Sequence, residues 1–183
     1  MKKIVKLLVI LILFWAVGKV MAVNGLLVND GWIWGGDSIV IDGENISTKK
    51  PEVVTWGKMQ SLAAKIADPN KKDMYFKFFD NDKIFLPGDL SENVFYVVNG
   101  KATINADMTE VNGVVIAVNR DKNNPGKIEF ERGDDVVVNG VLYSAGDIIF
   151  NGRNVTVNYK SDLFFNSDLK GVFTDFTNWK QGI

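Results

Sequence analysis

The residues that could do acid–base chemistry are three carboxylate pairs and three arginines: Asp80/Asp82, Asp89/Glu92, Asp134/Asp135, Arg120, Arg132 and Arg153. Paired carboxylates beside a base can hydrolyse a glycosidic bond, or bind calcium during an elimination. Each pair stands next to Gly, Asn or Pro in a predicted turn, where acidic residues are favoured as solvated turn formers. We therefore predict no catalytic residues, no metal ligands and no enzymatic activity, with a polysaccharide-active protein as the alternative.

Aromatic side chains suggest a second kind of chemistry, the stacking of sugar rings. Trp32, Trp34 and Trp56, together with the group from Tyr75 to Phe79, could form such a platform. Aromatic residues more often fill the core or cover an open end of a β domain. Carbohydrate binding through these tryptophans is therefore kept as an alternative to a purely structural role.

Composition excludes several functional classes. Cysteine and histidine are absent from all 183 residues, so disulfides, thiol nucleophiles, Cys/His zinc sites and His-based triads are impossible. The first 22 residues hold four lysines and no acid, which leaves 17 basic against 22 acidic residues in the body. A net negative body is a poor match for nucleic acid. No phosphate-binding loop is visible either, and no cofactor is predicted.

The N-terminus has the organisation of a Sec-type signal peptide. An apolar run from Leu7 to Val17 follows Lys2, Lys3 and Lys6. The segment after this run ends in a small residue, Ala22, as a cleavage site does. The run is shorter than the ~20 residues of a spanning helix. Residues 1–22 are predicted to be removed on export to the periplasm, cell surface or medium. An uncleaved membrane anchor is the alternative.

The body alternates between short β-branched or aromatic runs and turns rich in Asn, Asp and Gly. Period-2 alternation is clear in 127–131 and 154–159, which is typical of strands. The predicted strands are Trp32–Trp34, Ser38–Ile41, Met74–Phe79, Val94–Val98, Ala102–Asn105, Val114–Val118, Lys127–Glu131, Asp135–Val138, Val141–Tyr143, Asp147–Phe150 and Val155–Tyr159.

One helix is predicted to interrupt the strands. Pro51 and Glu52 suit its first turn, and apolar residues then recur at three- and four-residue spacing from Val53 to Ile66. The pair Asp68-Pro69 predicts its end. We expect this helix to cap an end of the β core, with partner binding by its apolar face as the alternative.

Five glycines recur at nearly constant spacing, 13, 13, 14 and 12 residues apart: Gly100, Gly113, Gly126, Gly140 and Gly152. Such turns fit either an antiparallel meander with tight hairpins or a β-helix in which short strands stack coil on coil. The strands are short and several are apolar without alternation, as in 94–98 and 113–118, which favours strands covered on both faces. We therefore predict an all-β fold with one inserted helix, a short single-stranded β-helix with those glycines at its corners and Asn ladders between coils. The meander or sandwich is the alternative.

The stretch from Asn93 to Tyr159 resembles the β-helical domain of PilX-like and other type IV pilus-associated bacterial proteins. The likeness lies in its valine-rich runs around Asn-Gly and in the closing segment 154–162. Residues 31–43 are similar to the first coil of that domain. Residues 177–180 are similar to the short motif of Trp and a basic residue that ends it. Gly18 follows the apolar run with no Glu close behind, unlike a prepilin leader, so the resemblance implies an exported relative of the domain and not a fibre subunit.

These observations divide the chain into a signal peptide (1–22), a first β coil (23–48), an inserted helix (49–70), β-helix coils (71–162) and a C-terminal capping tail (163–183). The expected function is that of a non-catalytic structural or interaction protein of the bacterial cell envelope, associated with type IV pili or related secretion machinery. Its expected partners are envelope or pilus proteins and other copies of the chain. Contact with a membrane is expected only through an uncleaved signal segment.

Overall fold

The computed structural model describes residues 21–23, 25–28, 31–35, 38–43, 53–119, 121 and 123–159. The predicted signal peptide up to Val20 and the predicted C-terminal tail lie outside the described residues, as do Pro51 and Glu52 at the predicted helix start. Among the described residues, no helix is long and apolar enough to cross a membrane.

Short strands make up most of the described chain. They are β1 (Met21–Val23), β2 (Leu26–Val28), β3 (Ile33–Trp34), β4 (Ser38–Gly43), β5 (Phe76–Phe79), β6 (Lys83–Phe85), β7 (Phe95–Asn99), β8 (Lys101–Ile104), β9 (Glu110–Val118), β10 (Lys127–Phe130), β11 (Val136–Ser144), β12 (Ile148–Phe150) and β13 (Asn154–Tyr159). Two helices, α1 (Trp56–Ala63) and α2 (Pro69–Tyr75), lie between β4 and β5.

The strands coil into a parallel β-solenoid of about four turns. Successive turns contribute β5–β6, β7–β8, β9–β10 and β11–β12. Within these turns the odd-numbered strands belong to the eight-stranded sheet and the even-numbered strands to the five-stranded sheet. Pairing between turns is parallel throughout, for example Phe95 to Asn99 beside Val114 to Val118. The predicted short β-helix is confirmed, and the parallel pairing excludes the antiparallel meander, in which neighbouring strands would run in opposite directions.

The apolar runs without alternation are strands buried on both faces. In β9, Val115 and Ala117 belong to a cluster that fills the interior of the solenoid. Val114, Ile116 and Val118 belong to a second cluster on the opposite face, which includes residues of α1. Because side chains alternate between the faces of a strand, a strand covered on both sides reads as continuously apolar.

The N-terminal strands stack on the last coil and not on the first. Strand β2 pairs with the second half of β11, β3 pairs with β12, and β4 pairs with β13. Pairs such as Leu26 with Leu142 therefore join residues more than a hundred positions apart. The helical segment then carries the chain to the opposite end of the solenoid, where β5 begins the first turn.

Two helices replace the single predicted helix. Thr55 is the N-cap of α1 and accepts from the backbone N–H of Lys58, whereas Asp68 caps α2 and accepts from that of Asn70. Pro69, predicted to end a helix, occupies the first turn of α2, where its missing N–H costs no helical hydrogen bond. The strand predicted from Met74 consequently begins at Phe76.

Helix α1 lies on the outer face of the eight-stranded sheet and not across an open end of the solenoid. Its buried residues Met59, Leu62 and Ala63 share a cluster with side chains from β2, β5, β7, β9 and β11. A hydrogen bond fixes the segment that enters the helix, since the backbone N–H of Val54 donates to the Tyr143 hydroxyl at 3.0 Å. Burial raises the pKa of Tyr143, against the opposing effect of this bond, so the hydroxyl stays neutral.

We expect Tyr143→Phe to lower the free energy of unfolding by about 1–3 kcal/mol, because it leaves the buried Val54 N–H without an acceptor. Tyr96→Phe is the matched control, since the Tyr96 hydroxyl accepts from the N–H of Ser91 at a partly exposed site where water can replace it. Urea unfolding of both variants measures the difference. Equal losses would contradict the role assigned to the Tyr143 hydrogen bond.

The glycines with regular spacing lie at two kinds of position. Gly100, Gly126 and Gly152 lie between strands, after β7, before β10 and after β12. Gly113 and Gly140 lie within β9 and β11 and are paired with each other. A Cβ on Gly140 would lie 1.8 Å from the carbonyl oxygen of Gly113. In a regular strand each Cβ points away from the plane of the sheet. A Cβ on Gly140 would instead point at the neighbouring strand, because the chain bends at this residue.

Asparagines stack beside these paired glycines. The Asn139 amide donates to the side-chain oxygen of Asn112 at 3.1 Å, and the Asn158 amide donates to that of Asn139 at 3.0 Å. This ladder joins β9, β11 and β13. It satisfies side-chain polar groups between successive coils, as the sequence analysis predicted for Asn at the corners.

Candidate functional site

The outer face of the five-stranded sheet β3-β12-β10-β8-β6 is built from residues in register. One row runs across all five strands through Trp34, Ile149, Glu129, Thr103 and Ile84. The partners on the inner face, such as Ile128 and Ile148, belong to the solenoid interior. We refer to the surface carrying this row as the ladder face.

Exposed tryptophans stand at one border of the ladder face. Trp32 and Trp34 are 50% and 51% exposed. Trp34 lies in β3 and Trp32 directly precedes that strand, and extended backbone places side chains two positions apart on the same side, about 7 Å from each other. The N–H of Trp32 donates to the Asp147 carboxylate at 2.8 Å, which holds the backbone of this segment against β12.

Charged residues occupy the middle of the ladder face. The Glu129 carboxylate lies 3.1 Å from the Lys127 ammonium and 3.7 Å from that of Lys101, and it accepts weakly from the Asn151 amide at 3.4 Å. Burial tends to raise the pKa of Glu129, but the two lysines and Asn151 together hold it below its ordinary value. Glu129 is therefore ionised at neutral pH, and two lysines share one acid.

The opposite border of the ladder face is again apolar. Ile84 in β6 is 54% exposed, and Leu86 just after it is 50% exposed. The surface therefore runs from two indole rings through a charged centre to two aliphatic side chains. Its width is set by parallel strands and not by loops, which keeps these groups in fixed relative positions.

Trp56 lies apart from the other two predicted stacking residues. It starts α1 and packs edge-on against Phe78 with ring centroids 5.2 Å apart, on the helix-covered side of the eight-stranded sheet. The structure thus brings Trp32 and Trp34 together and does not bring Trp56 to them. Phe76 and Phe78 likewise pack in or against the cluster that helix α1 covers, and Phe76 stacks on Phe95 of β7 with ring centroids 5.1 Å apart.

Several candidate acids accept hydrogen bonds from the backbone in turns. The Asp82 carboxylate accepts from the N–H of Lys101 at 2.8 Å, and the Asp89 carboxylate from that of Leu86 at 3.0 Å. Asp135 accepts from the Asn154 amide at 2.7 Å. Among the described residues, no group of three or more acidic side chains is arranged to hold a metal ion.

Arg153 is fully buried and ties together three successive loops at one corner of the solenoid. Its guanidinium donates to the backbone oxygens of Asp134 at 2.5 Å, Met108 at 2.6 Å and Asn105 at 3.4 Å. Burial lowers the pKa of Arg153, against the opposing charges of Asp134 and Asp135, and an arginine remains protonated in this setting. The sequence indicated Arg153 only as a basic partner for the carboxylate pairs. Its position after Gly152 gave no signal of burial.

The comparisons with known proteins leave the family open: no family model, curated protein or solved structure matches the chain.

Proposed function

We propose that this chain is a non-catalytic, exported interaction protein of the bacterial cell envelope, and that the ladder face contacts its partner. The observation that carries the proposal is the pair Trp32 and Trp34, each half exposed, side by side at the border of a rigid sheet. Tryptophan is enriched among the residues that dominate protein–protein binding energy. The resemblance of 93–159 to type IV pilus-associated domains supports envelope or pilus proteins as partners.

The arrangement of polar groups supports binding over catalysis. Glu129 is neutralised by two lysines, and the nearby acids in turns accept from backbone N–H groups. A catalytic carboxylate is poised to exchange a proton near the working pH. The pKa of Glu129 instead lies below its ordinary value, which suits a fixed charge that orients a partner.

Site-directed photocrosslinking in bacteria that express the protein tests this proposal. A photoreactive residue at Ile84, which is 54% exposed, is expected to yield a discrete adduct with an envelope protein, whereas one at Lys65, just after helix α1, is not. The adduct at Ile84 should be lost when Trp32 and Trp34 are both replaced by alanine. Met74→Ala, which removes an equally exposed apolar side chain from α2, should leave it unchanged. Adducts of equal yield from both sides of the molecule would overturn the proposal.

Carbohydrate binding is the second candidate, because two exposed indole rings also suit stacking on sugars. A glycan array probed with the purified protein separates the two. Saturable binding that is lost in Trp34→Ala supports the carbohydrate function, whereas the absence of glycan binding together with a ladder-face crosslink supports the protein partner.

A further inference from the structure

The first turn of the solenoid leaves two strand edges open in the described part of the chain. Strand β5 pairs with β7 along one edge, and β6 pairs with β8 along one edge. In general, an edge strand can accept a strand from another molecule. In a parallel solenoid the incoming strands would continue both sheets.

Two lysines occupy interior positions in this first turn. Lys77 is in register with Tyr96, and the same column continues through Val115, Leu142 and Leu26. Lys83 is in register with Ala102, and that column continues through Ile128, Ile148 and Ile33. Every residue beyond the lysine in both columns packs in or against the interior cluster. A lysine thus ends each of these apolar columns at the same end of the molecule.

The Lys83 side chain lies at the β5–β6 end of the solenoid. Its ammonium lies 5.4 Å and 5.6 Å from the ring centroids of Phe79 and Phe85 and 3.4 Å from the Asp89 carboxylate. The hydrogen bond from Leu86 and the charge of Lys83 keep the pKa of Asp89 below its ordinary value, despite an opposing effect of burial. These groups line an open cleft of about 590 Å³ at this end, together with Lys77 and Glu92.

We infer that Lys77 and Lys83 prevent a second copy of this chain from stacking on the β5–β6 end. A stacked copy would cover both columns and remove water from the Lys77 ammonium and from the Lys83–Asp89 ion pair. Taking charges out of water is unfavourable, and the attraction between paired charges offsets only part of the lost hydration. Inward-pointing charges on edge strands are a known means of blocking edge-to-edge association. The restriction applies to this end alone and leaves the ladder face free.

The test replaces both lysines in the full chain with apolar residues that occur in the same columns. The double variant is Lys77→Val with Lys83→Ile. Light scattering after size exclusion is expected to show concentration-dependent association, with the midpoint shifted by about tenfold or more relative to the parent. Hydrogen exchange should show new protection in 76–79 and 83–85 in the associated state. The same oligomer distribution as the parent in a folded double variant would overturn the inference.

The control is Lys65→Val with Lys71→Ile, which makes the same change in charge and side-chain type outside the strands. Lys65 lies just after α1, Lys71 lies in α2, and both are exposed. This variant should behave as the parent, and association as strong as that of the test variant would also overturn the inference. If the double variant does not fold, Lys77→Val alone is measured by the same criteria, because its side chain is exposed.

Discussion

Replacing Gly140 with alanine is expected to lower the free energy of unfolding by about 4 kcal/mol or more. The added Cβ would stand 1.8 Å from the carbonyl oxygen of Gly113 and 2.8 Å from its carbonyl carbon. Both obstacles are backbone atoms of the neighbouring turn, so no side-chain rotation can relieve the overlap. The two coils would have to separate, which breaks the hydrogen bonds that pair β9 with β11.

Gly57→Ala is the matched control for this substitution. A Cβ on Gly57 meets nothing within 4 Å, and the residue lies in the first turn of helix α1. Alanine there is expected to stabilise the protein by about 0.5–1 kcal/mol through helix propensity. Denaturant unfolding followed by circular dichroism measures both variants. A Gly140→Ala protein within about 1 kcal/mol of the parent would show that the coils do not approach as closely as described.

Replacing Arg153 with methionine is expected to lower the free energy of unfolding by about 3–5 kcal/mol, because it removes two short hydrogen bonds from a charged donor, each contributing about 1.5–3 kcal/mol. Methionine keeps most of the side-chain length but has no donor. The backbone oxygens of Asn105, Met108 and Asp134 would therefore lose the guanidinium that joins their loops. Since whole domains are stable by only about 5–15 kcal/mol, such a loss removes much of the total.

Two further variants distinguish a network effect from a general loss of positive charge. Arg132→Met changes an exposed arginine of the neighbouring loop and is expected to cost less than about 0.5 kcal/mol. Arg153→Lys keeps the charge but replaces the planar donor set with one ammonium, so an intermediate loss is expected. Thermal unfolding of the three variants orders them. Equal melting temperatures for Arg153→Met and Arg132→Met would contradict the assigned role.

The candidate site was predictable only in part. Trp32 and Trp34 alternate with Ile33, and that spacing already places both indoles on one face of a strand. Trp56 has the same residue type, but its helix packs on the other sheet. The charged centre of the ladder face could not be predicted, because Lys101, Lys127 and Glu129 meet only once the register between turns is known.

The amino-acid sequence determined the local geometry of the solenoid. Glycines at nearly constant spacing mark where only a residue without a side chain fits, as at Gly140, and Asn beside them can pair from coil to coil. Apolar runs without alternation indicated strands covered on both faces. These features depend on nearest neighbours and on sterics, so they can be read from short segments.

The tertiary structure alone decided how distant segments combine. Strands β2, β3 and β4 stack on the last coil, and helix α1 covers the side of a sheet. Arg153 enters a corner between loops, and two lysines end apolar columns. Each of these arrangements depends on which strand edges still lack a neighbouring strand, and which polar groups still lack a hydrogen bond, after the coils form. That balance involves contacts between residues far apart in sequence, whose partners no local pattern specifies.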